Sequence, residues 1–297
     1  GGERAYVRPA AVEAAAAVPA HIARPPFVEE PPLQLKDAAQ AAAVRRTARL
    51  AARLLQQAAA LAQPGTTTAA LDAALQEAAV AAGAYPSPLG YRGFPRAVCT
   101  SVNEVICHGI PDARPLQAGD VLNVDVTVYR EGVHGDTSRT LVLPTPDVRL
   151  AARGQRIARA AARALEAGMA ACVPGNRVSH IAAAVEAVCH EEGVGVVPEL
   201  LGHGIGRYFH EPPLVFHTGP VEPEHDVELV PGMVFTVEPC VTEGSAKWVQ
   251  WDDGWTIATE DGGLSAVFEH TLLITDTGHE VLTVCDDSAE EAAAPAQ

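Results

Sequence analysis

Five side chains, Asp125, Asp136, His203, Glu238 and Glu269, supply four carboxylates and one imidazole nitrogen. Oxygen-rich ligation with a single nitrogen suits divalent ions such as Mn(II), Fe(II), Co(II) or Mg(II) better than a structural thiolate zinc. Four carboxylates also suffice to bridge two ions, so the set points to metal-assisted chemistry. Each residue alone is a weak signal, since strand acids often sit on a solvated edge. The Gly202-His203-Gly204-Ile205-Gly206 run does not open a helix after a strand, as a dinucleotide-binding loop would.

The elements around these residues explain how they could meet. Val121 to Tyr129 alternates as a strand, a turn through Arg130-Glu131-Gly132 follows, and Val133 to Leu143 returns as a second strand. An even loop would pair Thr127 with Asp136 and put Asp125 and Asp136 on one face; an odd loop without a bulge would put them on opposite faces. Two buried carboxylates side by side persist only by sharing a proton or binding cations. A repeat frames this hairpin. Helices are expected from Asp37 to Gln63 and from Thr68 to Ala82, then again from Asp147 to Ala171 and from Ser179 to Glu192. Pro64-Gly65 and Pro174-Gly175 stop the first helix of each pair, and Gly83 and Gly193 close the second. Downstream, Gly119 precedes Asp125 by the same six residues that separate Gly232 from Glu238. Two helix-helix-strand halves predict a duplicated α+β domain with a pseudo-twofold axis and a site where the halves meet.

Composition narrows the function classes. The 297 residues carry 21 Lys plus Arg against 37 Asp plus Glu, a formal charge of −16, which disfavours nucleic-acid and anionic-membrane partners. No apolar run reaches the roughly 18 residues that a membrane helix needs. The six cysteines form no C-x-x-C pair, and free thiols fit a reducing cytoplasm. Residues 1–36 read as a Pro/Ala-rich extended arm, residues 37–285 as the catalytic domain, and residues 286–297 as an acidic disordered tail.

Several motifs in order carry a resemblance over about Asp37 to Thr283: Gly90-Tyr91-Arg92-Gly93-Phe94-Pro95, Asn103-Glu104-Val105-Ile106-Cys107-His108-Gly109, His134-Gly135-Asp136-Thr137, Gly202-His203-Gly204-Ile205-Gly206 and Asp253-Gly254-Trp255-Thr256 with Glu269-His270-Thr271. In these the chain closely resembles the type I methionine aminopeptidases, of the pita-bread metallopeptidase fold. The arm is similar to the amino-terminal extension of longer bacterial forms. The resemblance implies hydrolytic removal of an amino-terminal methionine from nascent proteins, preferring a small second residue. It implies two divalent ions (Mn, Fe or Co, with Zn and Ni as further options), Asp125 chelating one, Asp136 and Glu269 bridging both, and His203 and Glu238 completing the other site. The ions would lower the pKa of a water held between them, with Glu238 handling the proton. His108 would contact the scissile amide nitrogen, and His210 would polarise the carbonyl and stabilise the oxyanion.

The chain has only 14 aromatics, yet Tyr91, Phe94, Phe209 and Trp255 fall inside these motifs. Matching positions imply that they, with Pro88, Cys99 and His210, wall the pocket for the first side chain, and a thioether suits such a wall. Phe216 and Phe235 read as ordinary core. Cys240 and Val267 depart from the residues common in relatives, Met and Gln, without touching a proposed ligand. The arm is expected to pack on the body or to aid docking at the ribosomal exit, and a monomer is expected from the internal pseudo-symmetry. Two rivals stand beside this reading. A prolidase or aminopeptidase P shares the five-ligand set but usually carries a large amino-terminal domain, whereas only 36 residues precede the repeat. A non-catalytic pita-bread binding module would have lost ligands, and all five positions are filled.

Overall fold

The first helix, α1 (Ala38–Leu61), begins where the Asp37 carboxylate accepts from the Gln40 backbone N–H and the Gln40 side chain accepts from the Asp37 N–H. This reciprocal cap satisfies two amides that the helix itself leaves unpaired. Thr67 caps α2 (Thr68–Ala81), and Asp147 caps α3 (Val148–Ala170) by accepting from Arg149 and Leu150. Gly193 closes α4 (Val178–Glu192) in the left-handed region, at φ 63°. The four helices thus sit within a few residues of the positions read from the sequence. The computed structural model describes residues 6–28 and 31–285; the acidic segment 286–297 lies outside the described residues.

The amino-terminal half contributes β1 (Tyr85–Pro86), β2 (Cys99–Val102), β3 (Val105–Cys107), β4 (Val121–Arg130) and β5 (Val133–Val142). Here β4 runs antiparallel between β2 and β5, with β1 also paired to it. The carboxy-terminal half contributes β6 (Gly195–Val196), β7 (Gly202–Gly204), β8 (Glu211–Val215), β9 (Val234–Val237), β10 (Val241–Thr242), β11 (Trp248–Gln250), β12 (Ile257–Thr259), β13 (Ser265–Ala266), β14 (His270–Ile274) and β15 (His279–Val281). Its main sheet has the order β15-β14-β9-β7-β8. Both β4 and β9 start two residues after a glycine at positive φ, Gly119 at 82° and Gly232 at 90°. The repeat therefore extends to backbone conformation.

Each half has its own core. Leu54 of α1, Leu71 and Leu75 of α2, and Leu122, Val124, Val126 and Val128 of β4 form one. Ile157, Leu165, Ile181, Val185, Phe235, Val237, Leu272 and Ile274 form the other. Phe235 is fully buried, as expected of a core residue, and Phe216 packs against the same cluster. Burying a side chain of this size contributes about 1.5–3 kcal/mol. The seam between the sheets is polar: Glu269 N–H donates to Ser138 O at 3.0 Å, Thr137 Oγ1 to Glu269 O at 2.8 Å, and Thr271 Oγ1 to Asp136 O at 2.7 Å. Asn123 Nδ2 and Thr140 Oγ1 both donate to Val267 O.

The arm forms no helix or strand among its described residues and runs along the body. Ala10 N–H donates to Asp112 Oδ2 at 2.8 Å, and Ile22 is buried against Tyr85 and Tyr129. Its end is fixed by a buried ion pair between Lys36 and Glu211 and by Lys36 N–H donating to Gly232 O at 2.7 Å.

Candidate metal centre and pocket

The hairpin settles the register that the sequence left open. Arg130 faces Val133 across a two-residue turn, Glu131-Gly132, whose φ values are 55° and 81°. Positive φ at both central residues defines the type I′ turn that matches strand twist, and glycine supplies it without strain. The even loop pairs Thr127 with Asp136 and Asp125 with Ser138, so both aspartates point to one face. Thr127 Oγ1 donates to Asp136 Oδ1 at 2.6 Å and orients that carboxylate. Gly135 is required by packing: a Cβ there would come within 2.5 Å of the Ala48 backbone nitrogen in α1.

The carboxy-terminal half closes the cluster from the other side. His203, on β7, has its Nδ1 3.0 Å from Gly204 O, leaving Nε2 turned inward, 3.8 Å from Asp136 Oδ2 and 3.6 Å from Glu238 Oε1. A backbone contact at one ring nitrogen fixes the ring and frees the other as a ligand. Glu238 follows β9; its Oε1 accepts from Thr236 Oγ1 at 2.6 Å, and its N–H donates to His217 Nε2 at 3.1 Å. Glu269 precedes β14 at the seam. One ligand atom each from Asp136, His203 and Glu269 lie within 4.8 Å of one another. Asp125 Oδ1 is buried with no hydrogen-bond partner among the described residues.

The electrostatics of this cluster call for a cation. Burial pushes Asp125 up to about 7. Asp136 is driven well above the usual carboxylate range by burial and then by Asp125, and Glu269 by burial and then by Asp136. Burial also raises Glu238, while it lowers His203 to about 4. Neutral imidazole is the ligating form, and clustered carboxylates ionise together only when positive charge is supplied. The orphaned Asp125 oxygen and the oxygen-rich donor set therefore fit divalent metal.

The expected pocket residues assemble beside the cluster. The rings of His203 and His210 are 4.1 Å apart, Tyr91 lies 5.0 Å from both Phe209 and His210, and Phe94 meets Trp255 edge-on at 5.2 Å. His108, at φ 54°, meets Trp255 at 5.9 Å. Cys99 sits opposite Asp125 in the β2–β4 register, and Pro88 O accepts from Tyr91 N–H at 2.9 Å, starting the Tyr91 turn. The loop leading to Cys99 is pinned by Asp72 of α2, which accepts from Ala97 and Val98 N–H and pairs with Arg96. Burial lowers His108, and His210 lies well below the usual histidine value through burial and then His203, so both are neutral at pH 7.

Sequence reasoning missed several supports of this site. Thr127 and Thr236 orient ligands, His217 receives the Glu238 amide, and Phe27 of the arm packs edge-on against Tyr91 at 5.2 Å. The register that an even loop gives Thr127 opposite Asp136 was the signal for one threonine, and a place two residues before Glu238 on an alternating strand was the signal for the other. For His217 and Phe27 the partners are distant in sequence and no periodicity announces them.

Comparison with known proteins agrees with this geometry. The family model described as metallopeptidase family M24 matches residues 42–276. The chain is 46% identical to methionine aminopeptidase 1B, chloroplastic, of Arabidopsis thaliana, over 90% of this chain and 73% of that protein. The crystal structure of methionine aminopeptidase from Rickettsia prowazekii superposes with a TM-score of 0.80 at 34% identity, covering 85% of this chain and 100% of that one. The prolidase of Pyrococcus horikoshii OT3, at 18% identity and a TM-score of 0.65 over 86% of this chain and 64% of that one, shares the fold alone. The chain thus belongs to metallopeptidase family M24 and, within it, to the methionine aminopeptidases. Its fold is the mixed helix and sheet pita-bread architecture, and membership of the family implies divalent metal binding. Among the described residues no helix is long and apolar enough to cross a membrane.

Proposed function

We propose that this enzyme removes methionine from the amino terminus of peptides and nascent proteins, preferring a small second residue. The observation that carries the reading is the convergence of Asp136, His203 and Glu269 from two half-domains, next to the Tyr91, Phe209 and His210 rings, in a chain 46% identical to a methionine aminopeptidase. The prolidase-like rival rests on the shared fold alone, and the filled donor set argues against a non-catalytic module.

In this reading Asp125, Asp136, His203, Glu238 and Glu269 would hold two divalent ions, with Mn, Fe or Co as the candidate metals. Such ions, when bound, acidify water and polarise a carbonyl oxygen. Glu238 takes the proton released during attack and passes it toward the leaving amine. Thr236 and His217 support that task by fixing its Oε1 and its backbone N–H. His210, neutral at pH 7, donates an N–H to the developing oxyanion, and His108 contacts the scissile amide nitrogen. Tyr91, Phe94, Phe209 and Trp255, with Pro88 and Cys99, would wall the methionine side chain, where a thioether gains from aromatic contact.

Every proposed ligand comes from one chain, so a monomer suffices. Among the described residues Cys99, Cys107, Cys172, Cys189 and Cys240 form no disulfide, which supports a reducing compartment such as the cytoplasm. Docking at the ribosomal exit through residues 1–36 remains part of the proposal, and unchanged co-sedimentation after deleting them would remove it. The primary test is release of free Met from Met-Gly peptides against Leu-Gly and Ala-Pro peptides, with chelator-stripped protein before and after Mn(II) or Co(II). Metal-dependent release of Met alone is expected. Release of residues preceding Pro would support the prolidase rival, and no release by folded, metal-loaded protein would support the binding module.

A further inference from the structure

No hydrogen bond holds Nδ1 of His210, which is buried without a partner among the described residues. The ring is instead held by other rings: Phe209 at 4.3 Å and 29°, Tyr91 at 5.0 Å and 30°, and His203 at 4.1 Å. Phe209 in turn lies against His134 at 5.3 Å with the planes 14° apart, and Tyr129 is 4.7 Å away from the His134 ring. His134 is anchored at two points. Its Nδ1 is hydrogen-bonded to Ser87 Oγ at 2.8 Å, and its backbone N–H donates to Gly206 O at 2.7 Å, with His134 and Ser87 both fully buried. The rings therefore form a column from a fixed hydrogen bond at Ser87 to the histidine assigned to the oxyanion.

A buried imidazole is a poor choice for packing alone. His134 Nε2 has no hydrogen-bond partner among the described residues, and such a group costs more to bury than an apolar side chain of similar volume. What the imidazole adds over a leucine is a flat ring whose plane is set by one directional bond. We infer that His134 is a positioning residue: clamped by Ser87, it fixes the plane of Phe209 and, through it, the aim of His210. The inference rests on the oxyanion role proposed above for His210. A hydrogen-bond donor is effective only when held at the right place before charge develops, and small misplacements are expensive.

The test uses the full chain, metal-loaded, with Met release from a Met-Gly peptide as the assay. His134→Ala should lower kcat by between about 10- and 100-fold, the scale of a misplaced catalytic group, with KM and bound metal nearly unchanged. His134→Phe, which keeps a stacked ring but not the Ser87 bond, should recover only part of that loss, and full recovery would show that the Ser87 clamp is not needed. In a His210→Ala background, His134→Ala should cause little further loss, because it acts through the missing ring. An additive loss there, or an equal fall in metal content, would overturn the positioning role and leave His134 a core residue. Should the wild-type enzyme release no Met, the functional reading fails separately, and the inference is then read from isotope-labelled histidine spectra. The His210 ring resonances should shift in His134→Ala and, to a smaller extent, in His134→Phe; unchanged resonances in both would refute it.

Discussion

The two halves of the molecule place an acid at equivalent positions of the repeat, Asp125 and Glu238, yet hold them differently. Asp125 sits inside the ten-residue strand β4, on a regular ladder, with one oxygen lacking any hydrogen-bond partner among the described residues. Glu238 lies just past the four-residue strand β9, where Thr236 holds its side chain and His217 its backbone amide. Asp136, the partner of Asp125 on the hairpin, has a threonine of its own in Thr127. The regular half thus offers a rigid pair of ligands, whereas in the irregular half Glu238 is aimed by separate side-chain and backbone contacts. A rigid ladder suits groups that only hold charge, and a separately supported strand end suits a group that must also move a proton.

The sharpest way to break this comparison is to neutralise one acid at the seam from each half. Asp136→Asn and Glu269→Gln should each lower Met release by more than about 100-fold, beyond the usual cost of losing an outer-shell contact, and should lose one or both ions while circular dichroism stays native. Retained turnover with two metals by elemental analysis would contradict the ligand assignment in that half. Next in size, His210→Ala should reduce kcat by about 100- to 1000-fold, as loss of an oxyanion donor does, with metal content unchanged. Equal losses in both would recast the residue as structural.

The threonines test the difference between halves directly. Thr127→Val should weaken metal affinity by about 10- to 100-fold with an unaltered pH profile for kcat, because the hydrogen bond it removes, though it also lowers Asp136, bears on a carboxylate that holds charge and moves no proton. Thr236→Val should shift that profile as well, because it removes a hydrogen bond that lowers the Glu238 pKa; identical profiles for the two variants would erase the proposed division of labour. The smallest effect is a pH slope in stability. In metal-stripped protein, burial raises Asp125, Asp136, Glu238 and Glu269, so the folded state holds protons that the unfolded state has released. Stability must then fall as pH rises toward and past about 7. His203 and His217, lowered to about 4, and His134, lowered to about 3, give the opposite slope, but only below their unfolded value of about 6.5. Between pH 7 and 8 the melting temperature of stripped protein should therefore drop, and saturating Mn(II) should abolish the drop. A flat profile without metal would show that the carboxylates are already ionised.

Much of this was legible before any coordinates. The Pro-Gly stops and closing glycines marked all four helices because a glycine in the left-handed region, as at Gly65, Gly83, Gly175 and Gly193, ends a helix. Strand alternation placed Asp125 and Asp136 in two arms of one hairpin, and only the loop count was left open. Glu131 and Gly132 decided it by forming a two-residue turn. Ordered motifs carried the family resemblance and the donor set. The arm was less legible: its prolines predicted an extended chain, but the Lys36–Glu211 pair and the Phe27–Tyr91 contact have no local signature.

Local sequence was enough for the four helices, for the two arms of the hairpin that carry Asp125 and Asp136 and for the side chains available as ligands, because helix caps, turn chemistry and strand period act over a few neighbouring residues. Long-range packing alone brings Glu269 across the seam to Asp136, His217 behind Glu238 and His134 against the Phe209–His210 rings. Thr137 and Glu269 are 132 residues apart. Such contacts follow from how the two halves pack together, through clusters such as Val44, Val133, Ile205 and Leu273 that draw on both, and no local pattern in either half records the other.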